Sequence, residues 1–275
     1  MSVTASRAKT VGGLSYYARV IRVVGSVEFK IKYADSAMGY FWSLAKPLGY
    51  FAVLLLVFGR LLGAEQKHYY PVFLLTGILL YTFFVDSVGQ MLPSIVARGD
   101  MLRRLSFKPI LIPLSLSLSV CITFLVNVVA ATIFMAIYEV PPRLTWLLVL
   151  PLLVELYMFI LGLGLFLATL FVRFRDIGQV WELLSQVLFF ASGIMYPIGI
   201  LPPRAEQIAF LNPLVQILQD IRHALIGATS AKDETAAAVF AGHGGHLVPV
   251  LVAVGVFVGG LVLFTREGKY FAERI

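Results

Sequence analysis

The sequence predicts an all-α polytopic membrane protein of six transmembrane helices, and three observations predict it. Hydrophobic residues make up 59% of the 275 residues and charged residues only 13%. A water-soluble domain is nearer half apolar and a quarter charged, so one core cannot hide this much apolar surface and lipid must take the rest. The apolar residues are also gathered into runs of the roughly 20 residues that a helix needs to cross a ~30 Å hydrocarbon layer. Finally, Lys and Arg concentrate in alternate connections, as the positive-inside rule requires.

Taken in order, residues 1–38 form an N-terminal segment and residues 39–275 the transmembrane domain. The polar start, Met1 to Lys9, predicts no removable signal peptide. Over residues 8–36, Tyr16, Tyr17, Val20, Ile21, Val24, Val27 and Ile31 recur at helical spacing, with Arg19, Arg22, Lys30 and Lys32 between them. An apolar stripe opposite cations predicts a helix lying in the membrane interface, the alternative being a soluble helix packed on a partner. The first span, 39–62, contains Lys46-Pro47 and is expected to enter obliquely or with a kink. A polar loop leads to the second span, 71–92. The stretch from Pro93 to Pro109 is short, basic and bracketed by prolines, and cannot span.

The third span, 110–138, ends before Pro141-Pro142, and the fourth, 146–172, ends at Arg173-Phe174-Arg175-Asp176. The fifth, 180–200, is expected to break at Leu201-Pro202-Pro203. Residues 204–211 and 213–226 read as short amphipathic helices around Asn212-Pro213, before the sixth span, 247–264, and a charged tail. No internal repeat is visible, which weighs against inverted-repeat carriers. Of the 22 Lys and Arg, only Arg60, Lys67, Arg143, Arg204, Arg222 and Lys232 fall on one side, which places both termini in the cytoplasm. The net charge of +7 is then an insertion signal and an attraction to anionic lipid, not a nucleic-acid surface.

Little in the sequence carries chemistry of its own. Gly268-Lys269 lacks the preceding glycine and strand of a nucleotide-binding loop, so energy must come from a partner or a gradient. Cys121 sits in an apolar run and reads as a buried, inert thiol. His243-Gly244-Gly245-His246 has neither a nearby Cys nor the i,i+4 spacing of a metal pair, so no metal site is expected. Glu155 is the acid deepest in a span, with Asp86 and Glu182 nearer the cytoplasmic ends; it either bonds a neighbouring helix or lines a polar cavity. Residues 94–108 combine Ile95, Val96, Met101 and Leu102 with Arg98, Arg103 and Arg104. That pattern suits a helix docking in a groove of a cytoplasmic subunit, or an ordinary positive-inside loop.

Four ordered stretches resemble the transmembrane subunits of ABC-2-type ATP-binding-cassette exporters, specifically those for lipid-linked polysaccharides such as O-antigens and teichoic acids. They are Lys30 to Pro47, with its Gly39, Trp42 and Pro47; Arg103 to Pro113; Phe174-Arg175-Asp176-Ile177; and Tyr196-Pro197 followed by Leu211-Asn212-Pro213-Leu214. One departure is Ser192-Gly193-Ile194-Met195-Tyr196-Pro197, where the family commonly carries a Thr-Pro or Ser-Pro pair.

The resemblance implies a half-transporter that is not itself an enzyme. Two copies would form a homodimer in the bacterial inner membrane, each bound to one copy of a cytoplasmic ATPase that alone holds ATP and Mg. The ATPase contact would be the N-terminal helix and a coupling helix over Arg98, Gly99, Asp100, Met101, Leu102, Arg103 and Arg104. Arg173, Arg175 and Asp176 would form the turn after the fourth span, and Pro203, Asn212 and Pro213 would belong to a re-entrant gate at the outer mouth. Sugar rings present C–H faces that stack on aromatics, so Phe41, Trp42, Tyr50, Phe51, Tyr81, Phe83, Phe84, Phe189, Phe190 and Tyr196 are candidates for the path. The rival readings are an exporter of small lipophilic compounds, a membrane-embedded transferase and a stand-alone secondary carrier.

Overall fold

The computed structural model describes residues 19, 21–27, 30, 41–61, 63, 69–99, 108–227, 235–240 and 247–274, and every regular element among them is helical. Helix α1, Phe41–Leu54, continues as a π-helical stretch, Leu55–Leu61. Helix α2 is Tyr70–Met91 and is followed by the short α3, Ser94–Ala97. Helix α4 is Leu111–Ile137, and a 3-10 turn, Leu144–Leu148, leads into α5, Val149–Arg173. Helix α6 is Ile177–Ala191, and after the 3-10 turn Ile198–Ile200 come α7, Pro203–Phe210, and α8, Pro213–Ile226. The chain closes with α9, Ala236–Val239, α10, Leu247–Glu267, the 3-10 turn Gly268–Tyr270 and α11, Phe271–Arg274.

Five stretches are long and apolar enough to cross a membrane: Phe41–Leu61, Tyr70–Met91, Leu111–Ile137, Leu144–Arg173 and Leu247–Tyr270. They coincide closely with five of the six expected spans. The remaining one, expected over 180–200, is helical only over Ile177–Ala191, a 15-residue helix. At 1.5 Å per residue it rises about 22 Å, short of the hydrocarbon thickness. It stops early because Gly193 takes a φ of 63°, the left-handed conformation that ends helices cheaply only at glycine.

Helix α2 is the centre of the bundle, with 78% of the residues in its most apolar stretch buried against 11–33% in the other four. It packs on α1, α4 and α5, while α10 lies along the far side of α5. That last contact is made by glycines. A Cβ on Gly260 would stand 2.0 Å from the Gly162 carbonyl oxygen, and one on Gly162 would stand 2.4 Å from the Phe257 Cα. Lipid offers no hydrophobic gain between helices, so such close backbone approach is what holds a membrane pair together. Helical residues 21–27 join the bundle in the same way: a Cβ on Gly25 would meet the Ser115 carbonyl of α4 at 2.8 Å.

The bundle therefore has two unlike ends. Arg98, Lys108, Arg173, Arg175, Arg266, Lys269 and Arg274 mark one, the basic end. The other carries residues 138–148 and the α7–α8 hairpin, and we term it the re-entrant end.

Candidate functional site

Where α6 breaks, the backbone from Ser192 to Tyr196 turns irregular inside the bundle, leaving the last carbonyls of the helix and those of the break without helical partners. Unpaired carbonyls at membrane depth each cost several kcal/mol, so such backbone survives only where donors reach it. Three side chains supply them. The Tyr196 hydroxyl donates to the Phe190 carbonyl at 2.9 Å, and the Tyr70 hydroxyl donates to the Met195 carbonyl at 3.0 Å. Arg222 of α8 donates from Nη1 to the Gly193 carbonyl and from Nη2 to the Ile194 carbonyl, both at 2.7 Å.

The same guanidinium donates from Nε to the Phe73 carbonyl of α2 at 3.0 Å and lies 3.5 Å from the Phe73 ring centroid. Only 2% of Arg222 is exposed. It fits because Gly77 leaves the space, where a Cβ would stand 2.1 Å from Nη2. One side chain thus joins α2, the α6 break and α8. Its cation also sits just past the carbonyl end of α6, where the helix dipole favours it.

Helix α8 itself is buried on nearly every face, although its sequence carries Gln216, Gln219, Asp220, Arg222 and His223. Both of its ends are tied down. Asn212 Oδ1 accepts from the Leu214 backbone N–H at 3.0 Å and Pro213 takes the first helical position, which is the expected N-terminal chemistry. At the other end Thr145 Oγ1 donates to the Ala224 carbonyl at 2.7 Å and Trp146 Nε1 to the Leu225 carbonyl at 3.1 Å. Replacing Trp146 by Phe keeps the ring and removes that donor. We expect it to cost about 1 kcal/mol, read as a lower melting temperature in detergent.

Between those ends Gln216 Nε2 donates to Asp220 Oδ2 at 2.8 Å, and Glu155 of α5 faces both residues. Glu155 stands about 16 Å along its helix from Leu144, so α8 dips well into the bundle. The sequence placed residues 213–226 at the outer mouth as an amphipathic helix; the packing makes it an internal one. Glu155 is therefore an acid that faces α8, beside Gln216 and Asp220, with Oε1 buried.

On another side, α1, α2 and α6 enclose a groove of about 580 Å³. Its walls are Tyr50, Val53 and Leu54 from α1, Phe58 from its π-helical continuation, Ile78, Tyr81, Thr82, Val85 and Asp86 from α2, and Ser185, Gln186, Phe189 and Phe190 from α6, with Met195 above them. Tyr81 fixes the floor: its hydroxyl donates to the Ser185 carbonyl and its ring meets Phe189 edge-on at 5.1 Å. Helix α6 buries only Trp181 and leaves Gln179, Glu182 and Gln186 exposed along one side. Polar side chains on a membrane-embedded helix face water or protein, not lipid.

The sequence candidates divide accordingly. Tyr50, Tyr81, Phe189 and Phe190 line the groove. Phe51 packs edge-on against Phe134, Phe83 stacks on Phe124 at 4.3 Å, and Phe84 lies between Phe159 and Trp181, all inside the core. Phe41 and Trp42 are exposed near the start of α1, and Tyr196 is occupied at the α6 break. Arg173, Arg175 and Asp176 form an exposed turn, with the Arg175 guanidinium 5.5 Å from the Phe171 centroid. Pro203 opens α7 at the surface. Arg98 and Gly99 follow α3, whereas Asp100, Met101, Leu102, Arg103 and Arg104 lie outside the described residues, as do His243 and His246. Among the described residues no group of His, Cys, Asp and Glu is placed to hold a metal.

Sequence reasoning missed Arg222, Tyr70 and Trp146. The first was counted with the outer loops, and its signal was available: one cation flanked by Ile217, Leu218, Ile221, Ala224 and Leu225.

Comparison with known proteins adds the following. The family model described as ABC-2 type transporter matches residues 19–226. An O-antigen export system permease protein RfbA of Klebsiella pneumoniae is 26% identical over 261 residues, covering 94% of this chain and 96% of that protein. The protein of the same name from Myxococcus xanthus is 27% identical, covering 70% and 74%. The polysialic acid transport protein KpsM of Escherichia coli is 24% identical, covering 72% and 78%.

Proposed function

The chain belongs to the ABC-2 type transporter family, and from that premise we propose that it is the permease subunit of an ATP-driven exporter of lipid-linked polysaccharide. Two copies enclose the path, and each is seated on a separate ATPase that binds ATP and Mg. The basic end faces the bacterial cytoplasm, with both termini, and the re-entrant end faces outward. The glycan is of the O-antigen, capsule or teichoic-acid kind, and it enters from the cytoplasmic leaflet.

The single observation that carries this reading is the groove between α1, α2 and α6. It sets Tyr50, Tyr81, Phe189 and Phe190 beside Thr82, Asp86, Ser185 and Gln186. Aromatic faces hold the C–H faces of sugars weakly and permit sliding, while amide, hydroxyl and carboxylate groups exchange hydrogen bonds with sugar hydroxyls. A path for small lipophilic compounds would be mostly aliphatic; here Thr82, Asp86, Ser185 and Gln186 stand among the aromatic and aliphatic residues of the lining, which disfavours that rival. The relatives named for O-antigen and polysialic acid point the same way.

In mechanism, ATP closes the two ATPases together, and the motion passes through the N-terminal helix and residues 98–104 into the spans. The contact of Gly25 with α4 gives the N-terminal helix a rigid grip on the bundle. Helices α1 and α6 of the two copies then separate, and the α7–α8 hairpin clears the outer mouth. The test is co-purification with the ATPase. Charge reversal at Arg103 and Arg104 to Glu is expected to lower recovery of the complex at least tenfold. Unchanged association contradicts the coupling role of this segment.

A further inference from the structure

Between α8 and the last span the chain comes back to the bundle. It leaves α8 at Gly227, whose φ is 76°, and by α9 it packs on α7 and α8 again. Asp220 makes the polar contact, about 10 Å down α8 from Pro213. Its Oδ1 accepts from the Ala236 backbone N–H at 3.1 Å, while its Oδ2 accepts from Gln216 of the same helix. Ala236 is 2% exposed and joins a small apolar cluster with Ile198, Phe210 and Val215. That cluster is separate from the main core, which takes Leu214, Ile217, Leu218, Ile221 and Ile226 from α8. Helix α8 is thus held twice, by the bundle and by residues 235–240. The two grips are unequal. Within α9 only Ala236 is buried, and four residues are too few to sustain a helix by themselves. Elements with so few buried contacts are the first to open.

We propose that residues 235–240 are a releasable strap that keeps the outer mouth shut. While Asp220 holds the Ala236 N–H, α8 stays sunk in the bundle. When that bond parts and α9 moves aside, α8 is free to lift from the α6 break. The inference rests on the export reading above, which makes the re-entrant end the outer mouth, and adds the element that locks it. The bond can be removed from either side. Asp220→Ala deletes the acceptor. Ala236→Pro deletes the N–H, and proline is tolerated at this position because Ala236 is the first residue of α9. Asp220→Asn keeps an oxygen for the same N–H.

The test uses the full complex with its ATPase in lipid nanodiscs, carrying Cys121→Ala and Ile194→Cys. Ile194 is 0% exposed and its carbonyl accepts from Arg222, so the introduced thiol lies under α8. The readout is its rate of reaction with a charged methanethiosulfonate reagent. Without ATP, adding Asp220→Ala or Ala236→Pro is expected to raise that rate on the order of tenfold, the worth of one such bond. Adding Asp220→Asn should leave it near the starting rate. A control thiol from Ala168→Cys, buried in α5 away from α8, should stay slow throughout. The proposal is overturned if Asp220→Ala or Ala236→Pro leaves the rate unchanged, if Asp220→Asn matches Asp220→Ala, or if the control thiol accelerates equally. ATP turnover should bring the unstrapped rate to the complex that keeps Asp220 and Ala236. If the strap variants accelerate but ATP changes nothing, the strap stands and the ATP-driven reading falls.

Discussion

Replacing Arg222 by Met is expected to destabilise the protein by about 3–5 kcal/mol and to abolish export. The substitution removes a buried cation and leaves the Phe73, Gly193 and Ile194 carbonyls without their donor. Each buried carbonyl so abandoned costs on the order of 1–3 kcal/mol, and none can turn to water. Lysine is not expected to rescue. Its single ammonium cannot span carbonyls on α2 and on the α6 break at once, nor lie flat on the Phe73 ring at 3.5 Å as the guanidinium does. The check is the fraction of monodisperse protein after a heat step in detergent, measured for Arg222→Met, Arg222→Lys and wild type. If the Met variant survives heating as well as wild type, the α6 break is held by something other than Arg222.

The second large effect is expected at Gly260. A leucine there has no room, because even its Cβ would fall 2.0 Å from the Gly162 carbonyl oxygen. Backbone cannot yield as a flexible side chain can, so α10 must move off α5. We expect a loss of 3 kcal/mol or more, on the order of overpacking added to the forfeited helix contact, and little recoverable protein. Gly259 is the internal control. It is exposed, and a Cβ there meets nothing within 4 Å. Gly259→Leu is therefore expected to leave yield and melting temperature within error of wild type. Equal damage at both positions would mean that the effect is hydropathy or insertion, not the α5–α10 contact.

How far the sequence could be read follows from what each signal measures. Hydropathy reports transfer from water to any apolar medium, so it located Tyr70–Met91 and Leu111–Ile137 almost to the residue. For the same reason it could not see α6 stop. Residues 194, 195 and 198–201 are as apolar as the helix before them, and the break is written in the φ of Gly193 and in partners contributed by α2 and α8. Phe83, Phe84 and Phe190 look alike in sequence, yet two are core and one is on the groove, because burial depends on neighbours that lie far away in the chain. The Asn212-Pro213 cap was legible because capping is local chemistry. Arg222 was overlooked despite its apolar flanks, since counting cations by loop assumes that every cation reaches water. Asp86 and Glu182 were noted as acids near one end; that Asp86 belongs to the groove wall needed the packing of α1, α2 and α6.

The central claim is that glycan travels along the face shared by α1 and α6. It is tested most directly by a photo-crosslinking amino acid placed during active export at Tyr50, at Phe190 and, as a lipid-side control, at the exposed Leu150 of α5. The account predicts glycan adducts at Tyr50 and Phe190 that require a working ATPase, and none at Leu150. Adducts absent from both groove positions, or equally strong at Leu150, would contradict it.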